Sequence, residues 1–441
     1  MSTDTPSSPV CAPDRAVLRR VAAAALFGTA VEFYDFFLYG TAAALVFGRV
    51  FFPGLGAVGA LLAAFSVYAV AFVARPLGAV LFGHVGDRRG RRATLVASLL
   101  LTGLSTTAVG LLPGYGRWGL WAPAALCLLR FCQGLGLGGE WGGAALLLAE
   151  YAPAGRRGRY GGFVQLGPCT GFFLATGVFL VLGEWLDEAQ FLAWGWRLPF
   201  LASSVLVALG LFVRLRVAET PLFRAGPDRA RVPAAEVLLW HGRTVLLGAG
   251  TVVSGYALFY LTTTYALAHA TADLGVPRGR VLGLLLAGAV LKGGAVVLSA
   301  RCSDRFGRRR TLLAATAAAT AWSPLLFPLL ETGRTGPVAL ALVGAMALLG
   351  AMLGPVAGYL PELFPTRVRY TGAALTYNLA GVVGGATAPL VAARLAAAYG
   401  TAVPVGWYLA GLGVLALLCL LGLPETRGAD LDAAGRRSLV L

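Results

Sequence analysis

The chain has 441 residues, of which 58% are hydrophobic and only 13% are charged. A soluble domain carries about 25% charged residues, so this chain has too few charges to cover soluble domains with polar surface. The formal net charge of +16 could suggest nucleic-acid binding. The basic residues, however, are divided among short separate segments rather than gathered on one face with aromatic residues. The composition therefore excludes a soluble protein and a nucleic-acid-binding protein, and it indicates an integral membrane protein.

Twelve long apolar segments follow one another along the chain. Residues 93–112, 160–183, 245–268, 311–330 and 370–393 contain no charged side chain at all. Because about 20 apolar residues in an α-helix cross the ~30 Å core of a bilayer, each segment predicts one membrane-spanning helix. The predicted spans are residues 18–47, 57–82, 93–112, 120–149, 159–183, 193–216, 241–270, 278–300, 311–330, 336–360, 370–396 and 403–423.

The charged gaps between these spans alternate in sign. Arginines are concentrated in the gaps 83–92, 150–159, 301–310 and 361–369, whereas the gap at 184–192 is acidic. Positively charged loops remain on the cytoplasmic side, so the four basic gaps are predicted to be cytoplasmic. An even number of spans then places both chain termini in the cytoplasm, in a protein that crosses the cell (cytoplasmic) membrane many times.

Two loop motifs occur twice, once in each half of the chain. GHVGDRRGRR at 83–92 recurs as ARCSDRFGRRR at 300–310, and EYAPAGRRGRY at 150–160 recurs as ELFPTRVRY at 362–370. Both pairs have nearly the same offset, which indicates an internal repeat of six helices. Parallel repeats place a substrate site between the halves, and rocking of the halves alternates access to it. The predicted segments are an N-terminal cytoplasmic tail 1–17, a first half 18–216, a cytoplasmic linker 217–240, a second half 241–423 and a C-terminal cytoplasmic tail 424–441.

These motifs resemble those of the major facilitator superfamily. GHVGDRRGRR is similar to the loop signature of that superfamily, and LLRFCQGLGLGG, with Arg130 and Gln133, resembles its fourth-helix motif. Further segments resemble the metabolite:proton symporter branch, which includes carriers of α-ketoglutarate, shikimate, citrate and proline/betaine. They are VEFYDFFLYG at 31–40, FFP at 51–53, ARPLGAVLFGHVGDRRGRR at 74–92, QGLGLGGEWGGA at 133–144, WGWRLPF at 194–200 and PELFPTRVRYTG at 361–372. The resemblance implies an all-α integral membrane fold of two pseudo-symmetric six-helix halves, secondary transport, and a proton as the coupling ion.

The resemblance also implies that the two loop motifs gate the protein at its cytoplasmic end. Their charged residues can form ion pairs between helix ends, and breaking these pairs would favour one conformational state over the other. The alternative is that their positive charge only sets the orientation in the membrane. The motif residues are Gly83, Asp87, Arg88, Gly90, Arg91 and Arg92 in the first copy and Asp304, Arg305, Gly307, Arg308 and Arg309 in the second.

Acidic side chains inside the apolar spans are the candidates for proton coupling, because each costs at least about 2.5–3.5 kcal/mol at the centre of a membrane helix. Glu32 and Asp35 lie on one face of the first span. We expect a proton site at Asp35, assisted by Glu32, although either could instead anchor a basic residue. Arg130 could pair with one of these carboxylates or influence the proton's affinity. For Glu140 a structural contact is favoured over proton coupling, and the glycines around it indicate close helix packing.

Buried cations are the candidates for binding an anionic substrate. Arg75 and Arg197 could hold a carboxylate through the planar guanidinium group, or they could pair at helix ends. Lys292 is the only lysine of the chain and interrupts an apolar span. It is predicted to bind an anion or to form a fixed pair with Asp35 or Glu32. Further candidates, which could instead only pack between helices, are Tyr256, Tyr260, Tyr265, Tyr377 and Asn378.

Together these features predict a proton-coupled symporter that takes up a small polar metabolite, with an organic acid favoured over a betaine. A proton-coupled exporter on the same fold is the main alternative. A membrane-embedded enzyme is disfavoured because the sequence shows no nucleophile motif or histidine cluster. The six cysteines and three histidines have no metal-ligand spacing, so no metal or cofactor is expected. The expected partners are the substrate, protons and the lipid bilayer, and one copy of the chain is expected to be sufficient.

Overall fold

The computed structural model describes residues 15–89, 91–215 and 233–428. Over this part the chain is helical and contains no β-strand. Helices satisfy every backbone polar group within one segment, which is what the interior of a membrane requires. The predicted fold class, an all-α membrane protein with two pseudo-symmetric six-helix halves, is confirmed.

The twelve long helices of the described residues are numbered α1–α12 in chain order. Three of them (α1, α7 and α11) pass through a π-helical turn, and α10 is broken near its end. They are α1 Arg15–Ala42 (continued by Ala43–Phe47 and Gly48–Phe51), α2 Ala57–Arg89, α3 Arg91–Leu111, α4 Trp121–Tyr151, α5 Arg157–Trp185, α6 Arg197–Leu215, α7 Pro233–Tyr260 (continued by Leu261–Tyr265 and Ala266–Ala272), α8 Arg278–Phe306, α9 Arg308–Glu331, α10 Thr335–Leu353 (continued by Val356–Glu362), α11 Arg369–Ala380 (continued by Gly381–Ala386 and Thr387–Tyr399) and α12 Val403–Leu421.

Eleven of these helices are candidates for crossing the membrane by length and apolarity. Ten qualify as they stand, and the bent pair Glu188–Gly195 and Arg197–Phe212, whose axes differ by 41°, gives an eleventh. The remaining helix, α4, is made more polar by Arg130, Glu140 and its glycines. Its 31 residues still extend ~46 Å at ~1.5 Å per residue, which exceeds the ~30 Å core of a bilayer. Twelve crossings therefore agree with the prediction.

The two halves repeat the same set of helix contacts. In the first half α2 packs on α4, α3 packs on α4 and α6, and α1 packs on α5. In the second half α8 packs on α10, α9 packs on α10 and α12, and α7 packs on α11. The halves meet mainly where α5 packs on α8 and where α2 packs on α11, and these are equivalent pairs under the repeat. A substrate site of this architecture lies along that contact.

Several helix boundaries differ from the predicted ones. α1 begins at Arg15 rather than at 18, and α7 begins at Pro233 rather than at 241. The last part of the predicted linker is therefore helical, because proline at the start of a helix lacks only an N–H that would be unpaired there anyway. The rest of that linker, residues 217–232, lies outside the described residues, as do 1–14 and 429–441. Beyond α12, Glu425 accepts hydrogen bonds from the backbone N–H groups of Arg308 (2.8 Å) and Arg309 (3.1 Å), so the start of the predicted tail packs against α9.

The close contact between α2 and α4 depends on glycine. Gly134 and Gly138 of α4 lie directly against the backbone of α2 at Ala71 and Arg75, where a Cβ atom would overlap main-chain atoms. Small residues allow membrane helices to approach in this way, as the glycine-rich stretch predicts. Pro76 also interrupts the hydrogen bonding of α2 at this level. The glycine contact with α4 therefore helps to hold the backbone of α2 in place where Arg75 projects from it.

We expect Gly138→Ala to lower the stability of the purified protein, because the added methyl group forces α2 and α4 apart. Such overpacking costs about 1–3 kcal/mol, and thermal unfolding in detergent measures it. Gly294→Ala is the matched control, since Gly294 lies in α8 with no atom within 4 Å of the added Cβ. Equal melting temperatures for the two variants would contradict the proposed packing constraint.

Candidate functional site

A layer of aromatic rings fills the space between the halves, about midway along the helices. Across it, the ring centroids of Phe37 and Phe259 lie 4.9 Å apart and those of Phe72 and Tyr260 lie 5.1 Å apart. Tilted and edge-to-face contacts at these distances are typical of packed aromatic pairs. The residues called the ring layer below are Phe36, Phe37, Tyr68 and Phe72 of the first half and Tyr256, Phe259 and Tyr260 of the second.

Arg75 projects from α2 into the ring layer. Its guanidinium carbon lies 4.0 Å from the ring centroid of Phe36 and 4.6 Å from that of Phe72, and the residue is only 2% exposed. Within the described part of the chain, Nε and Nη2 of Arg75 have no hydrogen-bond partner and no carboxylate forms an ion pair with it. The guanidinium group is thus stabilised by rings and retains donors for an anion.

Three predicted lining residues lie beside this guanidinium group. The charge of Arg75 interacts with three nearby tyrosines, Tyr256, Tyr260 and Tyr377. The hydroxyl of Tyr256 is buried and makes no hydrogen bond with a described residue. The structure therefore brings these tyrosines and Arg75 together, although they come from α7, α11 and α2.

Arg130 of α4 reaches the same layer. Its guanidinium carbon lies 3.9 Å from the ring centroid of Tyr39 and 4.9 Å from that of Phe36. Its Nη1 donates to Oε1 of Gln133, and Nε2 of Gln133 donates to the backbone oxygen of Asp35 at 3.1 Å. The direct pair with a first-span carboxylate that the sequence allowed is not formed, because Gln133 lies between the arginine and α1.

Asp35 is fully buried in the first half, on the side of α1 that faces α6. Oγ of Ser203 in α6 donates to Oδ1 of Asp35 at 2.5 Å, whereas Oδ2 has no hydrogen-bond partner among the described residues. Thr106 of α3 is a further neighbour of the carboxyl group. No described basic side chain forms an ion pair with Asp35, so the pairing that the sequence left as an alternative is not present in this conformation. The other two acidic candidates, Glu32 and Glu140, are buried as well.

Lys292 approaches the ring layer from α8 in the second half. Its Nζ lies 4.4 Å from the ring centroid of Phe259, the residue is 2% exposed, and Cys169 of α5 is a neighbour. Among the described residues it has neither a hydrogen bond nor an ion pair. The alternative of a fixed pair with Asp35 or Glu32 is therefore not present in this conformation.

Two other predicted binding residues lie away from this group. Nη1 of Arg197 donates to the carbonyl oxygens of Gly110 (3.0 Å) and Leu112 (2.5 Å), and it thereby satisfies the carboxyl end of α3. Tyr265 stacks on His269 with ring centroids 5.7 Å apart, beyond the ring layer. The structure does not bring either side chain to Arg75.

Direct contacts between α4 and α11 separate the ring layer from the arginine-rich loops. Nδ2 of Asn378 donates to the carbonyl oxygen of Gly138 at 2.9 Å. The hydroxyl of Tyr370 donates to the carbonyl oxygen of Gly139. Tyr377 stacks on Trp141 with ring centroids 3.7 Å apart and an interplanar angle of 4°. Asn378, a predicted lining residue, is thus part of a barrier in this conformation.

The second copy of the loop motif joins the halves at this closed end. The carboxylate of Asp304 accepts hydrogen bonds from the backbone N–H groups of Gly158 (2.9 Å) and Arg159 (2.8 Å) at the start of α5. A carboxylate is favourable there because the amino end of a helix is positive. Arg308 donates to Asp304 at 2.6 Å and lies 3.4 Å from the carboxylate of Glu362. The motif therefore connects α8, α9 and α10 of the second half to α5 of the first.

The other motif residues lie around this contact. Arg309 donates to the carbonyl oxygens at the end of α12, at 2.9 Å and 2.7 Å, and Gly307 adopts a φ of +104° before α9. Arg305 rests on the neighbouring phenyl ring, and Gly83 lies close to Thr371 of α11. In the first copy, five motif residues have side chains outside the described part of the structure: Asp87, Arg88, Gly90, Arg91 and Arg92. Their ion pairs therefore stay a prediction.

The opposite end of the protein contains a cavity of about 1220 Å³ between the halves. Its lining includes Arg49, Glu184, His269 and Arg278 from the two halves, together with Tyr265. The π-helical turns of α1 and α7, which follow the ring layer in the chain, also line it. In this conformation the protein is therefore open at the end opposite the arginine-rich loops and closed at the end that carries them.

Some residues of the site were not predicted from the sequence. Ser203, Thr106 and Trp141 are ordinary residues of apolar helices, and no sequence signal separates them from packing residues. Glu425 could have been found, because it is an acidic residue directly after the last span and the adjacent motif is rich in arginine.

Comparison with known proteins agrees with this architecture. The family model described as "Sugar (and other) transporter" matches residues 21–255 and 243–437. The chain is 46% identical over 420 residues to the inner membrane metabolite transport protein YhjE of Escherichia coli K12, covering 93% of this chain and 95% of that protein. It is 38% identical to the shikimate transporter of Escherichia coli K12, covering 86% and 87%. The solved proton:xylose symporter XylE has the same fold, with a TM-score of 0.78 at 20% identity over 96% of this chain and 100% of that one.

We expect Asp304→Asn to favour opening at the end that carries the arginine-rich loops, because the variant loses charge-assisted bonds to the start of α5. Each such bond contributes about 1.5–3 kcal/mol, so the open population should rise about tenfold or more. Spin labels at Gly155 and Phe306, in a cysteine-free background, report the distance between the halves at this end.

The matched control is Asp273→Asn, the same chemical change at the opposite end, where Asp273 directly follows α7 and pairs with His269 of that helix. It should leave the label distance at the arginine-rich end unchanged. A distance distribution in Asp304→Asn equal to that of the control would show that the motif does not hold the halves together.

Proposed function

Because the chain belongs to the sugar (and other) transporter family of the major facilitator superfamily, we propose that it carries a small organic acid into the cell together with protons. Membership of a transporter family also means that the protein is not an enzyme. The observation that carries the choice of an acid is Arg75, a buried guanidinium group between the halves with no carboxylate partner among the described residues.

An acid is favoured because the cations at the ring layer have no ion pair with a described acidic residue. Arg75 and Arg130 share the ring of Phe36, and like charges held close together in a buried site repel each other. A bound carboxylate relieves this repulsion. It also accepts charge-assisted hydrogen bonds from the N–H groups of Arg75 that have no partner among the described residues. The tyrosine hydroxyls beside Arg75 supply further donors to the rest of a polar metabolite. A betaine, which carries a quaternary ammonium group, brings an additional positive charge into the same place.

The proton is assigned to Asp35. A carboxylate is costly to bury without a cation, and a neutral carboxylic acid is far less costly. Asp35 adjoins Phe36, whose ring contacts both arginines, and its backbone oxygen is joined to Arg130 through Gln133. A change of hydrogen bonding at Asp35 when it gains or loses a proton is therefore transmitted through α1 to the anion site. Glu32 remains the secondary candidate, and Glu140 is assigned a structural contact.

The proposed direction of transport, into the cell, follows from the orientation of the protein in the membrane, which the basic loops determine. With the arginine-rich loops in the cytoplasm, the cavity of about 1220 Å³ faces the outside and the contacts of Asp304, Asn378 and Tyr370 close the cytoplasmic side. The substrate and the proton enter from the outer cavity, and the halves then rock so that the inner contacts break. All groups assigned to this cycle lie in one chain, so one copy is sufficient. A proton-coupled exporter would use the same parts in the reverse direction.

Uptake into proteoliposomes tests the function. With an imposed inward proton gradient, labelled mono- and dicarboxylic acids should accumulate and glycine betaine should not, and a protonophore should abolish the accumulation. Release of preloaded solutes on an opposite gradient, without uptake of any acid, would favour the exporter.

We expect Asp35→Asn to abolish proton-driven accumulation but to retain exchange of labelled for unlabelled acid, because exchange requires no net proton movement. Accumulation should fall about tenfold or more, in line with removal of a proton-transfer group, while the exchange rate stays within about threefold. Glu140→Gln is the matched control and should leave both activities close to those of the unmodified protein. If Glu140→Gln abolishes accumulation and Asp35→Asn does not, the proton site has been assigned to the wrong helix.

A further inference from the structure

Arg75 and Lys292 occupy the same position in the two halves. Each lies twelve residues before the aspartate of its loop motif, Asp87 in the first copy and Asp304 in the second. Each is carried by the second helix of its half, and α2 and α8 make equivalent contacts, α2 with α4 and α8 with α10. The repeat has therefore placed one buried cation on each side of the contact between the halves.

Both cations rest on the same ring layer. Arg75 lies against Phe36 at 4.0 Å and Lys292 lies against Phe259 at 4.4 Å. Between them, the centroids of Phe36 and Phe37 are 5.9 Å apart and those of Phe37 and Phe259 are 4.9 Å apart. The two charges thus face each other across a short stack of rings, and the junction of the halves runs between Phe37 and Phe259.

Neither cation is neutralised by the described residues. Each is 2% exposed, and neither takes part in an ion pair there, whereas the buried Arg308 has two carboxylates, Asp304 and Glu362. Removing a charge from water without a partner is strongly unfavourable. One carboxylate can satisfy only one of two cations that lie on opposite sides of a ring stack.

We propose that the substrate is a dianionic organic acid whose two carboxylates are bound by Arg75 of the first half and Lys292 of the second. The inference rests on the proposed function and names its substrate class. A dianion that enters from the outer cavity and parts the rings of Phe37 and Phe259 links the halves through its own two charges. It stabilises the state in which both halves close on it, and a monoanion of the same length lacks this second attachment.

Competition for proton-driven uptake in proteoliposomes tests the proposal with the full chain. The probes are succinate and glutarate, each beside its own monoamide, which keeps the length and one carboxylate but has a neutral amide in place of the other. The diacids should compete about 10- to 100-fold better than their monoamides, as expected for one additional charge-assisted contact. Equal competition by diacid and monoamide would overturn the proposal even though acids accumulate.

Variants of Lys292 locate the second contact. Lys292→Gln should weaken competition by the diacids about 10- to 100-fold and leave the monoamides within about threefold, whereas Lys292→Arg should retain much of the preference. Arg334→Gln, a change of an exposed cation at the outer end, is the control and should alter neither. Equal weakening of diacids and monoamides in Lys292→Gln would contradict the assignment. If no acid accumulates in the unmodified protein, the proposed function itself is wrong, and that outcome is distinct from a loss of preference.

Discussion

Buried positive charge that has no negative partner among the described residues is the constraint around which the centre of this molecule is arranged. Elsewhere the chain compensates such charge: Arg308 is held by two carboxylates and Arg197 by backbone carbonyl oxygens. Arg75 and Lys292 differ, because each rests on an aromatic ring. A ring attracts a cation through its quadrupole but does not neutralise it. Under the proposed function a bound anion supplies the missing charge, and we therefore interpret the ring layer as its binding site.

The two ends of the molecule differ in what holds the halves together. At the end with the arginine-rich loops, side chains of α11 donate directly to carbonyl oxygens of α4, and Asp304 binds the start of α5. At the other end a cavity separates the halves. The same helices connect both ends to the centre, since α4 contacts the backbone of α2 at Arg75 through Gly138. We therefore expect a movement that breaks the α4–α11 contacts to shift Arg75 as well, as the proposed alternating access requires.

The sequence singles out the charged residues at the ring layer but gives no signal for the uncharged ones. Arg75, Lys292 and Asp35 stand out because an ionisable residue in an apolar span is costly and needs a reason. Ser203 and Trp141 have no such signal, since serine and tryptophan are common in membrane helices for many reasons. Arg197 and Asn378 show a second limit: their types suit a ligand, but only the structure reveals that carbonyl oxygens of α3 and α4 already accept from them. The start of α7 at Pro233 was missed because polar residues there resemble a loop.

Thermal stabilisation of the purified protein by small solutes is the most direct measurement of whether the ring layer is an anion site. A solute that binds only the folded protein raises its melting temperature, and the rise grows with the logarithm of the ratio of solute concentration to Kd once that ratio exceeds one. Small carboxylic acids should raise the melting temperature of the unmodified protein, whereas chloride at equal ionic strength and glycine betaine should not. The effect of the acids should disappear in Arg75→Gln. Stabilisation by glycine betaine with none by any acid would contradict the assignment of an anion site at Arg75.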